Sequence, residues 1–242
     1  MPKVFFFLLL LLHGCSCGNG SNGAMRIGID ADWYPLNFGP QTSYVNGYTE
    51  DLLVEMSRYT GIEFEKIPAN WDSLVDGLRE RKYDAILTSM PPYVFNTAKY
   101  DFSSNYLDLG PVLIVPTNAE TTELDKMHGQ LVGIIGGDPS VAVLEKHPAI
   151  IIRNYSSIPD LLDAVANGAI QAAILDRIPA VNFTNDLYAG RLKIGSGPLT
   201  DKGLHLVTLK GHERIITDFD KTIVAFKRKK TLEDLLKKWQ LE

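Results

Sequence analysis

Apolar positions along this chain fall into two alternating patterns. Short continuous apolar runs read as buried strands, and between them apolar residues return every third and fourth position, as on one face of a helix. Residues 26–30 are expected to form the first, short strand. A helix is expected from Gly47, with Leu52, Met56 and Tyr59 on one face and Gly61 just past its end. A strand at 62–67 follows, then a helix on which Trp71, Leu74, Val75 and Leu78 share a face, then a strand at 83–87. The run 112–115 can cross into a second body. There the pattern predicts a short helical piece at 123–127, strands at 131–135, 150–153 and 172–176, and helices from Val141, across Ile158, Leu161, Leu162 and Val165, and onward to Tyr188. Gly195-Ser196-Gly197-Pro198 reads as the return crossing. A strand at 204–209 then rejoins the first body, followed by helices over 215–228 and through Leu232, Leu235, Leu236 and Trp239. Strands alternating with helices imply α/β layers. Two crossings predict two lobes, the first discontinuous: residues 25–109 with 197–242, and residues 110–196 between them. Each lobe is expected to be a mostly parallel sheet with helices on both faces.

Two stretches place the candidate chemistry. The strand at 83–87 breaks in Thr88-Ser89-Met90 and then meets Pro91-Pro92-Tyr93, which no central strand can continue. The strand ending at Asp176 repeats the order of helix, glycine, strand and polar end. Open α/β sheets place ligands outside the carboxyl ends of their strands, so a cleft between the lobes is the expected site.

Composition narrows the function. The chain has 242 residues, 45% of them hydrophobic and 22% charged, with a net charge of −5. That is ordinary for a globular protein and unsuited to nucleic acid. Its two cysteines, Cys15 and Cys17, sit together near the start, so neither a zinc site nor a disulfide framework is expected. Lys3 precedes an apolar run at residues 4–12, too short to span a bilayer but suited to a signal peptide. Leu12-His13-Gly14-Cys15 resembles the bacterial lipobox, with His13 a departure from the usual small residue, and implies lipidation at Cys15. The Gly/Asn/Ser-rich residues 17–24 read as a tether, so residues 1–24 are assigned to signal and linker.

Ordered landmarks then carry a family resemblance. Residues 30–38 match D-x-x-x-x-P-F-x-F, Gly47-Tyr48-Thr49-Glu50-Asp51-Leu52 matches G-F-D-x-D-L, Tyr100-Asp101-Phe102-Ser103 matches V-D-F-S, and Lys237-Lys238-Trp239 matches a terminal K-K-W. Asp84-Ala85-Ile86 precedes the cleft turn, and Asp176 closes a second-lobe strand. The chain resembles the type II periplasmic solute-binding proteins for polar amino acids, bacterial extracellular family 3, which are capture subunits of ABC importers. The resemblance implies a two-lobed α/β fold with two hinge strands and a ligand cleft. It also implies a small-molecule ligand, an ABC permease as partner, a periplasmic location on a lipid anchor, a monomeric state and no cofactor.

The same resemblance assigns a pocket. Trp33 and Trp71 correspond to positions that pack on the ligand, although Trp71 also lies on its helix's apolar face. Thr88, Ser89, Met90 and Tyr93 follow the cleft strand. Asn96 stands five residues before Asp101, where relatives that bind amino acids carry an Arg for the ligand carboxylate. A neutral amide cannot supply that charge. Gly137-Asp138-Pro139-Ser140 replaces a small turn that usually makes a second carboxylate contact. Asp138 adds a negative charge and Pro139 removes a donor, though Asp at the N-cap with Pro after it is also an ordinary helix start. Asp176 corresponds to the ligand-ammonium position, and could instead cap the next helix. Asp30 is the other candidate carboxylate, while Asp32 fits solvent.

A charge-assisted hydrogen bond contributes about 1.5–3 kcal/mol, so a weakened carboxylate grip is expected. The solute is then a free polar amino acid held modestly, or an amine without a free carboxylate near Asn96. Aromatic faces with carboxylates suit a cation. The chain offers no P-loop, no metal-ligand spacing among its five His, and no catalytic triad. The run Lys227-Arg228-Lys229-Lys230 fits a solvated linker. An enzyme resembling cyclohexadienyl dehydratases on the same scaffold is the alternative, but it would need cationic anchors that Asn96 and Asp138 do not offer. A sensor lobe is disfavoured because no membrane span follows Trp239.

Overall fold

The computed structural model describes residues 23–34, 36 and 38–242, so Cys15 and the signal segment lie outside the described residues. In chain order the elements are β1 (Met25–Asp30), α1 (Thr42–Thr60), β2 (Phe64–Ala69), α2 (Trp71–Arg79), β3 (Ala85–Thr88), α3 (Val94–Thr97), β4 (Tyr100–Phe102), β5 (Leu107–Asp108) and β6 (Pro111–Pro116). Then come β7 (Leu131–Ile135), α4 (Val141–Leu144), β8 (Ile151–Tyr155), α5 (Ile158–Ala166), β9 (Ala172–Asp176), α6 (Arg177–Asn185), β10 (Leu192–Ile194), β11 (Gly203–Leu209), α7 (Glu213–Arg228) and α8 (Thr231–Lys238). Short 3-10 turns precede α1 and β7. Helix α1 begins at Thr42 rather than Gly47, and Gly61 caps its end. The earlier start adds Val45 and Tyr48 to the buried face.

Two sheets result. The first runs β2-β1-β3-β11-β4, with β5 also on β11; the second runs β10-β6-β9-β7-β8. They are mixed, not mostly parallel as expected. Strand β1 is parallel to β2 and β3, but β11 is antiparallel to β3, β4 and β5. In the second sheet β7 is parallel to β8 and β9, while β6 is antiparallel to β9 and β10. The physical reason is where the crossing strands enter. The parallel strands end at the edge facing the other lobe. A strand arriving from that lobe starts there, and so runs against its neighbours. Thus Pro111, the first residue of β6, lies opposite Asp176, the last of β9. Likewise His205, near the start of β11, lies opposite Thr88 at the end of β3.

Both sheets are covered on both faces, which is why their inner strands are continuously apolar. Ala85 and Leu87 of β3 pack with α1 and α7 residues such as Leu52, Met56 and Phe219, while Ile86 points the other way to Leu74, Leu78 and Tyr83. In β6, Val112 and Ile114 face Leu161 and Val165 of α5, and Leu113 and Val115 face Leu144 of α4. Ile178 of α6 joins the first lobe's cluster, so the lobes share apolar packing beside the crossings.

Several sequence landmarks prove to be fasteners of the first lobe. Trp239 lies over Gly47, where a Cβ would stand 2.2 Å from the indole ring. Its indole N–H donates to Asp51 at 2.7 Å, and Lys238 pairs with the same carboxylate at 2.6 Å. The Lys238 hydrogen bond holds the Asp51 carboxyl below its usual range. Asp101 accepts from Lys210 Nζ at 2.6 Å and from the Gly211 N–H at 2.9 Å, tying β4 to the far end of β11. Tyr83 donates to the Leu74 carbonyl at 2.6 Å, and its ring lies where a Cβ on Gly28 or Gly77 would otherwise stand.

Candidate functional site

The carboxyl ends of β1 and β3 place Asp30 and Thr88 together at one edge of the first sheet. The ends of β7 and β9 place Gly137, Asp138 and Asp176 at the corresponding edge of the second. Beside the crossings, and reached by the Asp176 end of β9, lies a cavity of about 530 Å³. It is lined by Leu36, Phe38 and Gln41 from the segment after β1, by Leu109 and Lys202 from the crossings, and by Asp176, Ile178 and Asn182 from the second lobe. That volume suits a small solute.

Asp176 is the sequence-predicted residue this cavity contains. It precedes α6 but makes no side-chain cap hydrogen bond. Its Oδ2 instead accepts from Lys202 Nζ at 2.7 Å, with the two side chains 36% and 42% exposed. Topology brings them together. Asp176 lies opposite Pro111 as the chain enters the second lobe, and Leu109 N–H, two residues earlier, bonds the Lys202 carbonyl on the way back.

The other candidates divide into those at the edges and those inside. Asp30 is buried and its Oδ1 accepts from the Asp32 N–H at 3.1 Å. Thr88 is buried, and its hydroxyl accepts from the Met90 N–H at 3.2 Å, turning the chain out of the strand. Among the described residues the buried Ser89 Oγ has no hydrogen-bond partner. Met90 packs with Leu74 and Tyr83, so it contributes to the core. Tyr93 is exposed, as are Val94 and Phe95 beside it. Asn96 donates from Nδ2 to the Pro91 carbonyl at 2.8 Å, so the amide at the expected Arg position braces its own Pro-Pro turn.

Trp33 differs most from expectation. Instead of a ligand wall it is a core residue, 2% exposed, whose indole N–H donates to Asn46 Oδ1 at 2.6 Å. Trp71 is half-buried at the start of α2 and meets the exposed Tyr34 edge-on at 5.7 Å. Asp138 stands at the turn that leads into α4, where its carbonyl accepts from the Val141 N–H at 3.1 Å. Ser140 is the residue before α4, and Asp138 Oδ1 accepts from the Ser140 N–H at 2.7 Å in a turn ahead of the helix. Gly137 is exposed with φ +82°.

Sequence inspection missed two residues here. Lys202 carries no local signal, since a lone lysine before a strand is ordinary. His205 is buried beside Thr88 with Nδ1 3.1 Å from the Ser103 carbonyl, which can only accept, so the proton sits on Nδ1. Burial lowers its pKa, which favours the neutral ring. Among the described residues no group of His, Cys, Asp and Glu could hold a metal ion, and no helix is long and apolar enough to cross a membrane.

Two mixed sheets joined by two crossings, with a cavity lined from both lobes beside them, define a two-lobed solute-binding fold. The chain belongs to the bacterial extracellular solute-binding proteins, family 3, which it matches over residues 25–242. It is 22% identical over 223 residues to the L-cystine-binding protein TcyJ of Escherichia coli, covering 90% of this chain and 82% of that one. Among solved structures it resembles the unliganded L-cystine solute receptor of Neisseria gonorrhoeae, with a TM-score of 0.67, 16% identity, and 92% and 94% of the two chains covered. It also resembles an ancestral cyclohexadienyl dehydratase, with a TM-score of 0.69, 19% identity, and 90% and 92% covered.

Proposed function

We propose that this protein captures a small polar solute, an amino acid or an amino-acid-like amine, outside the cytoplasm and hands it to the permease of an ABC importer. The lobes are residues 25–109 with 197–242, and residues 110–196. The observation that carries the proposal is Asp176, a carboxylate at a strand end inside a cavity bounded by both lobes and both crossings. A carboxylate there suits a ligand ammonium through a charge-assisted hydrogen bond. Asp30, Thr88, Ser89 and Tyr93 on one edge, with Gly137 and Asp138 on the other, are the further contacts a closing cleft can bring to the same solute.

The test is to release and weigh any small molecule co-purifying with the native protein, then to titrate free amino acids and amines by calorimetry. One solute per chain is expected. Heat from no amino acid or amine, together with no co-purifying solute, would overturn the assignment. Because a dehydratase shares the fold, a carboxylated cyclohexadienyl substrate belongs in the same series. Binding without loss of carbon dioxide is expected, and turnover would replace capture with catalysis.

The apolar run at 4–12 followed by Gly14-Cys15 supports a lipid anchor on Cys15. In that case Cys15→Ser expressed in a bacterial host moves the protein out of the membrane fraction or blocks its processing. Unchanged membrane association of the Ser variant would rule the anchor out.

A further inference from the structure

The cavity holds a positive charge that the family landmarks do not assign. Lys202 Nζ sits 2.7 Å from Asp176 Oδ2, and both residues line the same cavity. Asn96, at the position expected to carry the ligand-carboxylate anchor, is neutral and tied to Pro91. Asp138 is acidic and tied to Ser140. We infer that Lys202 is the specificity-determining cation of this pocket: it holds the place of a ligand ammonium on Asp176, and takes the ligand's carboxylate when that ammonium displaces it. The inference rests on the capture of an amino acid at Asp176.

The physical case has three parts. First, the exchange is cheap. The ion pair is more than a third exposed on each side, where such pairs contribute little net stability. Second, Lys202 can move without unfolding anything. Its backbone is held by the Leu109 N–H on its carbonyl and by its own N–H on Thr200 Oγ1 at 3.4 Å, while the ammonium rides on a flexible four-carbon stem. Third, charge balance selects the solute. A zwitterion swaps one ion pair for two, Asp176 with its ammonium and Lys202 with its carboxylate. A plain amine or amino-acid amide takes Asp176 but leaves Lys202 unpaired beside a like charge. Both charges of an α-amino acid stand on one carbon, which matches two protein charges whose heads already touch. The pocket thus favours zwitterions over purely cationic amines, although the surrounding carboxylates alone point the other way.

The experiment compares the native protein with Lys202→Met and Lys202→Arg. Calorimetry measures affinities for L-cystine, L-glutamine, L-histidine and L-arginine, for the carboxamides of the last two, and for putrescine. For the native protein, the preference of acid over amide is expected to be about 10- to 100-fold, the value of one charge-assisted contact. In Lys202→Met that preference falls to within about threefold of unity. The acid binds more weakly, while the amide and putrescine bind as well or better because Asp176 is freed. Lys202→Arg, which keeps the charge, retains the preference. Thermal unfolding confirms that each variant is folded. An unchanged acid-to-amide ratio in Lys202→Met, including an equal loss for both, overturns the role of Lys202 and leaves the capture function standing. If the native protein binds amines or amides but no free amino acid, this inference falls and the capture function stands; if it binds none of them and carries no co-purifying solute, both fall.

Discussion

Replacing Asp176 with Asn is expected to abolish binding of any amino acid or amine while leaving the protein folded. Asn has nearly the same size and keeps an acceptor, but it has no charge for an ammonium. Truncating one partner of a desolvated, hydrogen-bonded charge pair costs about 2–5 kcal/mol, or roughly thirtyfold to several thousandfold in affinity. A ligand held at micromolar strength would then escape calorimetric detection. Stability should behave differently. The Asp176–Lys202 pair is more than a third exposed on each side, and such pairs contribute about 0–1 kcal/mol, so the unfolding midpoint should barely move. The two readouts together identify the role, because a residue needed only for folding would shift both. Native-like affinity in a folded Asp176→Asn variant, within threefold of the parent, would place the solute elsewhere.

The largest effect on stability is expected at Gly77. Helix propensity argues that Gly77→Ala should help, since Ala is favoured over Gly by about 1 kcal/mol inside a helix such as α2. Packing opposes it: the added Cβ would lie 2.2 Å from Tyr83 Oη and 2.5 Å from the ring carbon bearing it. The ring cannot retreat. A Cβ built on Gly28 would also stand only 2.8 Å from it, and its hydroxyl is bonded to Leu74 and Ser73. Overpacking of this kind costs about 1–3 kcal/mol, occasionally more, and should outweigh the propensity gain. Gly77→Ala should therefore lower the urea midpoint without changing the slope, and Gly77→Val should lower it further. In a Tyr83→Leu background, with the hydroxyl gone, Gly77→Ala should be neutral or stabilising. If Gly77→Ala is stabilising with Tyr83 present, the close approach is not what makes glycine necessary.

Much of this architecture was legible because burial leaves a period. The strands at 131–135 and 172–176 and the face shared by Ile158, Leu161, Leu162 and Val165 sit where the apolar pattern puts them. The start of α1 was not legible, because Thr42, Ser43 and Tyr44 look like loop and Gly47 looks like a boundary. Gly47 in fact lies in mid-helix to admit Trp239. The sheets' mixed sense was not legible from patterning either, since a buried strand is apolar whichever way it runs.

The site was less readable than the fold, for a related reason. The landmarks at Gly47, Asp51, Asp101 and Trp239 fasten one element to another, so they mark the scaffold and not its ligand. Trp33 shows the limit of reading an aromatic after a strand. Only the position of Asn46, one turn into α1, determines that its indole turns inward. Lys202 shows the opposite limit. Nothing near it in sequence hints at Asp176, and the two meet only because both crossings pass the same point.

The position of β11 also orders events while the chain is being made. It occupies residues 203–209, yet it lies inside the first sheet between β3 and β4. Strands β6 to β10 fall within residues 111–194 and pair among themselves, so the second sheet can assemble as soon as those residues are available. The first sheet cannot. Joining Thr88 to His205 closes a loop of more than a hundred residues, and until then one side of β3 has no partner strand. An unpaired strand edge is a template for association with other chains. For this protein that exposure lasts until residues 203–209 have emerged, and a nascent chain stopped before residue 203 would hold one complete sheet beside another lacking its joining strand.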